Sequence, residues 1–120
     1  MLKTYKELHV WQKCIRLVKD VYRIVENFPS EEKYGLCSQI RRSAVSIPSN
    51  IAEGYGRHST PDYLRYLNIS MGSLFELETQ LIIAFELGFI TSEDSQTLAA
   101  SIDEIERMLS SMKTKLAAKT

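Results

Sequence analysis

Histidine, cysteine and net charge are all scarce in this chain. Its two histidines, His9 and His58, lack the Glu-x-x-His spacing with which helical bundles hold metals. No metal is expected. Cys14 and Cys37 stand far apart, on apolar-leaning helical positions, without a Cys-x-x-Cys companion. They read as two buried thiols in a reducing cytoplasm. Fifteen Lys and Arg balance fifteen Asp and Glu, so no overall basic excess points to nucleic acid or to a membrane. No apolar run reaches spanning length, since Leu81 to Phe85 is stopped by Glu86 and Gly88. The start, MLKTYK, has no signal-peptide core. The expected location is the cytoplasm, with no membrane contact. A Gly-x-x-x-x-Gly-Lys phosphate loop is also missing, and no cofactor or small-molecule substrate is expected.

What remains describes a folded protein. A hydrophobic fraction of 44% with 25% charged residues is ordinary for a globular domain. A chain this long buries roughly two-thirds of its surface, enough for a core without staples. One domain over residues 1–120 is expected.

No stretch shows strand-like alternation, and there is neither an internal repeat nor a low-complexity tract. Apolar spacing and breakers divide the chain into four helices at about 5–27, 30–55, 61–87 and 92–117. Phe28-Pro29 ends the first, and Ser30 followed by Glu31 and Glu32 suits the start of the second. Pro48 falls inside that second helix, where a kink is expected; Gly54 and Gly56 suit its end. Thr60-Pro61-Asp62 opens the third with a cap, a first-turn proline and a carboxylate, and Ser59 also reads as a cap. Gly88 stops it. Thr91 to Asp94 is a capping-box variant before the fourth. Short links between four helices predict an all-α, antiparallel up-down four-helix bundle.

Core stripes follow from the same spacing. Leu36, Ile40, Ala44, Ile47 and Ile51 serve the second helix. Leu64, Leu67, Met71, Leu74, Leu81 and Phe85 serve the third, with Glu78 inside that arc and in need of a partner. Leu98, Ile102, Ile105, Leu109, Met112 and Leu116 serve the fourth. The first helix carries two stripes. Val10, Cys14, Leu17, Val21 and Ile24 form one; Leu8, Trp11, Ile15, Val18, Tyr22 and Val25 form the other. Together they span about half the circumference, more than the roughly 100° a surface helix needs. The excess predicts a subunit interface.

Two polar features are the candidate sites. On the second helix Arg42, Ser46, Ser49, Asn50, Glu53 and Arg57 share a flank. Arg42, Asn50 and Arg57 are suited to donate to phosphates or an acidic partner, with Glu53 orienting an arginine. On the first helix Lys13, Arg16, Lys19 and Arg23 form a basic face that would add phosphate contacts. Tyr55, Tyr63 and Tyr66 nearby suit core or interface packing, with base stacking the alternative. The blander reading of the polar flank is a solvated or subunit-pairing face. Glu53 as a base beside Arg57 is an ordinary salt-bridge pattern, and Ser59 next to His58 reads as a cap rather than a nucleophile. The chain reads as a non-enzyme. Charge is uneven along it: residues 1–27 hold six basic side chains against three acidic ones, while residues 59–90 hold Arg65 against Asp62, Glu76, Glu78 and Glu86. A complementary contact between subunits would use such an asymmetry.

Four blocks carry a family resemblance: VWQK at 10–13, FPSEEKYGL at 28–36, QIRRSAVSIPSNIAEG at 39–54 and GSLFELETQL at 72–81. In this order, over nearly the whole chain, they resemble the 23S rRNA-intervening-sequence proteins, also called the S23 or four-helix-bundle family. SIPSNIAEG is the most specific of them. The resemblance implies a small bacterial four-helix bundle assembled as a ring-like homopentamer, with no assigned catalytic residues. It also implies two nucleic-acid connections. Some members are encoded inside insertions in large-subunit ribosomal RNA genes, and a related branch is the accessory protein of diversity-generating retroelements, which binds a reverse transcriptase and nucleic acid. That branch is basic, whereas this chain has no net charge. The expectation is a homo-oligomeric scaffold, with an RNA- or DNA-binding accessory protein as the alternative.

Overall fold

The computed structural model describes residues 2–119. Four α-helices, α1 (His9–Val25), α2 (Leu36–Tyr55), α3 (Thr60–Glu86) and α4 (Ser92–Ala117), make up the fold, with no strand among the described residues. Each helix packs on the next and α1 closes against α4, the α2–α3 contact being the most extensive. The result is a four-helix bundle of 46 × 24 × 21 Å. Its length matches the roughly 40 Å expected of a helix as long as α3 at 1.5 Å per residue.

Two helices start later than their periodicity predicts. Residues 5–7 form a separate 3₁₀ turn, and Leu8 is extended, with φ −70° and ψ 125°, so α1 begins at His9. Ser30 does not cap α2. It opens a 3₁₀ turn over Ser30–Glu32, and Gly35, at φ −106° and ψ −109°, breaks the path to Leu36. The Glu32 carboxylate accepts the Leu36 N–H instead, at 3.3 Å, so an acidic side chain from the preceding turn does the capping. The remaining boundaries follow local chemistry. Ser59, not Thr60, caps α3 through the Asp62 N–H, and Thr91 caps α4 through the Asp94 N–H. Gly88 takes φ +82° just past α3, a conformation that a side chain disfavours.

Helix α2 runs unbroken through Pro48, which is buried. In the preceding turn, side-chain donors supplement the backbone: Ser49 Oγ donates to Val45 O and Asn50 Nδ2 to Ser46 O, each at 2.8 Å.

The core takes one face from every helix. Val10, Cys14, Leu17 and Val21 enter from α1; Ile40, Ala44, Ile47 and Ile51 from α2; Leu98, Ile102, Ile105 and Leu109 from α4. Helix α3 departs from its predicted stripe. Leu77, Ser70 and Gln80 are buried, Leu64 is half-buried, and Phe85 is exposed. Glu78 is half-buried and lines a small cavity with Ser95 of α4. At one end of the bundle Phe28 and Phe89 pack at 5.5 Å between ring centroids, joining two interhelical links. Neither cysteine forms a disulfide.

Candidate functional site

The polar flank of α2 does not face solvent as one surface. Its middle is the seam with α3. Ser46 Oγ meets Ser73 Oγ at 2.8 Å, and Asn50 Nδ2 donates to Ser46 Oγ at 2.9 Å. One turn earlier Ser43 Oγ donates to Gln80 Oε1 at 2.7 Å, and Ser70 Oγ reaches back to Ile47 O at 2.9 Å. As residue numbers rise on α2, from 43 to 46 to 54, their α3 partners fall, from 80 to 73 to 63. Small side chains let the two backbones approach; the bonds of Ser43 to Gln80 and of Ser70 to Ile47 are buried, and that of Ser46 to Ser73 is part-buried. Gly54 marks a close approach: a Cβ there would lie 2.9 Å from both Tyr63 Cδ1 and Tyr66 Cβ. Ser46 and Asn50 are therefore structural.

The ends of the flank separate. Arg42 is exposed and borders a shallow hollow shared with Gln39, Ser46 and Glu76. Arg57 lies past the end of α2. Its Nη2 donates to Glu53 Oε2 at 3.2 Å and to Tyr66 OH at 2.8 Å, and its Nε stands 4.0 Å from Asp62 Oδ2. Glu53 and Arg57 thus hold the α2–α3 turn, with Arg65 completing a cluster around Tyr66 and Asp62. Exposed pairs of this kind contribute at most about 1 kcal/mol each. The tyrosines pack on protein rather than standing free. Tyr55 meets Tyr63 and Tyr5 edge-on, and burial pushes the Tyr63 phenol up to about 12. The Ser59 hydroxyl is engaged as the α3 cap.

The basic face of α1 divides too. Lys13 pairs with Glu104 of α4 at 2.8 Å, and that hydrogen bond holds the Glu104 carboxyl below its ordinary range. Arg23 pairs with Asp20 at 2.6 Å, while Arg16 and Lys19 are exposed. The nine candidate residues do not converge on one site.

Two apolar surfaces stay open instead. The second stripe of α1 is only partly covered by its own chain: Val25 is buried, Leu8, Trp11, Ile15 and Val18 are half-buried, and Tyr22 is 40% exposed. Trp11, Ile15 and Val18, with Tyr5, Val45 and Pro48, line a groove of ≈270 Å³ between α1 and α2. On the far side, the outer face of α3 presents Ile69, Phe75, Ile82 and Ile83 to solvent. Sequence reasoning missed this second surface. Its signal was present, because apolar residues on α3 outnumber the positions in the core arc.

The model of a family described as 23S rRNA-intervening sequence protein matches residues 6–111. The fold is similar to the crystal structure of a protein with unknown function from the S23 ribosomal protein family of Bacteroides thetaiotaomicron VPI-5482, at a TM-score of 0.81. The two are 26% identical over 88% of this chain and 95% of that one. No curated protein matches. Among the described residues no helix is long and apolar enough to cross a membrane.

Proposed function

We propose, from the premise that this chain belongs to the 23S rRNA-intervening sequence protein family, that it is a non-enzymatic, homo-oligomeric helical scaffold. The observation that carries the proposal is the open second stripe of α1, where Trp11, Ile15, Val18 and Tyr22 stay half-exposed. A contiguous apolar strip on a small chain is costly in water and marks an interaction surface. Five copies per assembly is the number the family resemblance implies. The opposed numbering of α2 and α3, and the shared groove of residues 8–10 with 107–115, support an antiparallel up-down bundle. Two buried free thiols suit a cytoplasmic location. The engagement of Glu53 with Arg57, and of Ser59 as a cap, favours a non-enzyme. Light scattering at low and high salt tests the reading. A salt-insensitive mass near five chains supports it, and a single-chain mass overturns it.

A second reading, polyanion binding, is favoured by how charge is distributed rather than by its total. The start of α1, the α2–α3 turn and the end of α4 lie at one end of the bundle: Tyr55 OH donates to Leu2 O at 3.3 Å, and Leu8 and His9 share a groove with Met112 and Lys115. Residues 2–10, 53–66 and 111–119 hold seven Lys and Arg against three acidic side chains. The rest of the chain is acidic by the same margin. On this reading RNA or DNA contacts Lys6, Lys113 and Lys115 rather than Arg42 and Arg57, and binding weakens steeply with salt. Charge reversal at Lys6, Lys113 and Lys115 should abolish RNA retention; no retention by the wild type at low salt would discard the reading.

A further inference from the structure

We propose that the open α1–α2 groove of one copy receives the outer face of α3 from the next copy, a head-to-tail contact between copies of this chain. The inference rests on the scaffold reading and names its interface.

The α3 face is patterned for a helical partner. Phe75 and Ile82 are one heptad apart and Ile69 and Ile83 two, at 43%, 56%, 42% and 45% exposure. Gly72 lies among them, exposed and in the middle of a long helix. Glycine is among the poorest helix formers, so its presence there calls for a reason. Its own chain supplies none: a Cβ at Gly72 would meet nothing within 4 Å. Ser73 next to it packs on Ser46 of α2, and Gly54 is crowded by two tyrosines. Gly72 is small for something outside the chain, the close approach of a neighbouring backbone.

The groove suits that neighbour in shape and charge. It is concave between two helices, where the α3 face is a ridge. One turn beyond Ile15 on α1 stands Lys19, and on the α2 side Arg41 lies over the Tyr22 ring at 5.4 Å, while Arg23 nearby is already paired with Asp20. From Leu67 to Ile90 the chain has no Lys or Arg, and Glu76 and Glu86 are exposed beside the ridge. A basic-rimmed groove and an acid-flanked ridge attract, and two ridges repel. Since the two surfaces differ, each copy uses one with each neighbour. Such a heterologous contact runs from copy to copy and ends in a ring where the rotation closes or in a filament where it does not.

Complementation tests this. Phe75→Glu with Ile82→Glu spoils the ridge, and Val45→Glu with Val18→Glu spoils the groove. Each variant alone should run as a single chain in light scattering. Mixed one to one, they should form a two-chain complex and nothing larger, because one intact ridge meets one intact groove. If the wild type is an oligomer but the groove variant keeps its mass, or the mixture stays at single chains, this interface is overturned and the scaffold reading stands. If the wild type is a single chain, both fall. Gly72→Trp guards against a charge variant that does not fold, since it enters open space on an exposed helix position. It should keep the wild-type helicity by circular dichroism and drop to a single-chain mass. An unchanged mass would also overturn the proposal.

Discussion

Helix α2 has two sides with opposite fates. Towards α3 it presents serines and an asparagine, yet that side is sealed, each hydroxyl answered across the seam. Towards α1 it presents Val45 and Pro48, yet there the chain leaves a groove with apolar walls. The polar side is closed because small hydroxyl side chains permit close helix packing and find partners on the facing helix. The apolar side is open because α1 offers it only part of a stripe. Polarity alone does not say which surface a protein keeps for its partners.

The largest effect should come from breaking the sealed side of α1. Burial pushes the Cys14 thiol from its ordinary 9.0 up to about 12. An acid whose pKa is raised by folding contributes its full stability below pH 9 and loses it as pH rises towards 12. The loss amounts to about 4 kcal/mol at the top of that window, at 1.36 kcal/mol per unit. Denaturant titrations from pH 8 to 11 should show falling stability, and Cys14→Ala should flatten the slope. The Cys37 thiol, also raised by burial, and Tyr63, raised to about 12 by burial and the Tyr55 phenol beside it, leave a remainder in the variant.

Next is the seam itself. Ser43→Ala removes the donor to the buried Gln80 Oε1 and should cost about 1–3 kcal/mol in urea unfolding. Gly54→Ala should destabilise within a similar range, about 1–3 kcal/mol, because its Cβ collides with side-chain atoms fixed close to the α3 backbone. The smallest effect has the opposite sign. Gly72→Ala, measured in the single-chain Phe75→Glu/Ile82→Glu background, should stabilise the helix by about 1 kcal/mol. If both glycine variants moved stability the same way, the contrast between sealed and open faces would be wrong.

Much of the fold was legible before any coordinates. The 3.6-residue spacing of Ile40, Ala44, Ile47 and Ile51, the Thr91 cap and the Gly88 stop are local, and each held. The late start of α2 was not legible, because Glu32 caps Leu36 through a turn that no helical period describes. On α3 the inward face could not be separated from the outward one. Apolar residues occur nearly all round it, and only the positions of α2 and α4 decide that Leu77 is covered while Phe75 and Phe85 are not. The candidate site fared worst. Arg42, Ser46, Asn50, Glu53 and Arg57 share a flank, but the partner that turns Ser46 inward is Ser73, 27 positions away.

Helix number, the core spacing of α2 and α4, and the caps and stops at Ser59, Gly88 and Thr91 are short-range properties, set by propensity and spacing within a few turns, and so they could be read from residue order. Which hydroxyls are sealed, which glycine is crowded and which apolar strip is left over are properties of pairs of helices. They depend on the distance between backbones, so only the packed bundle decided them.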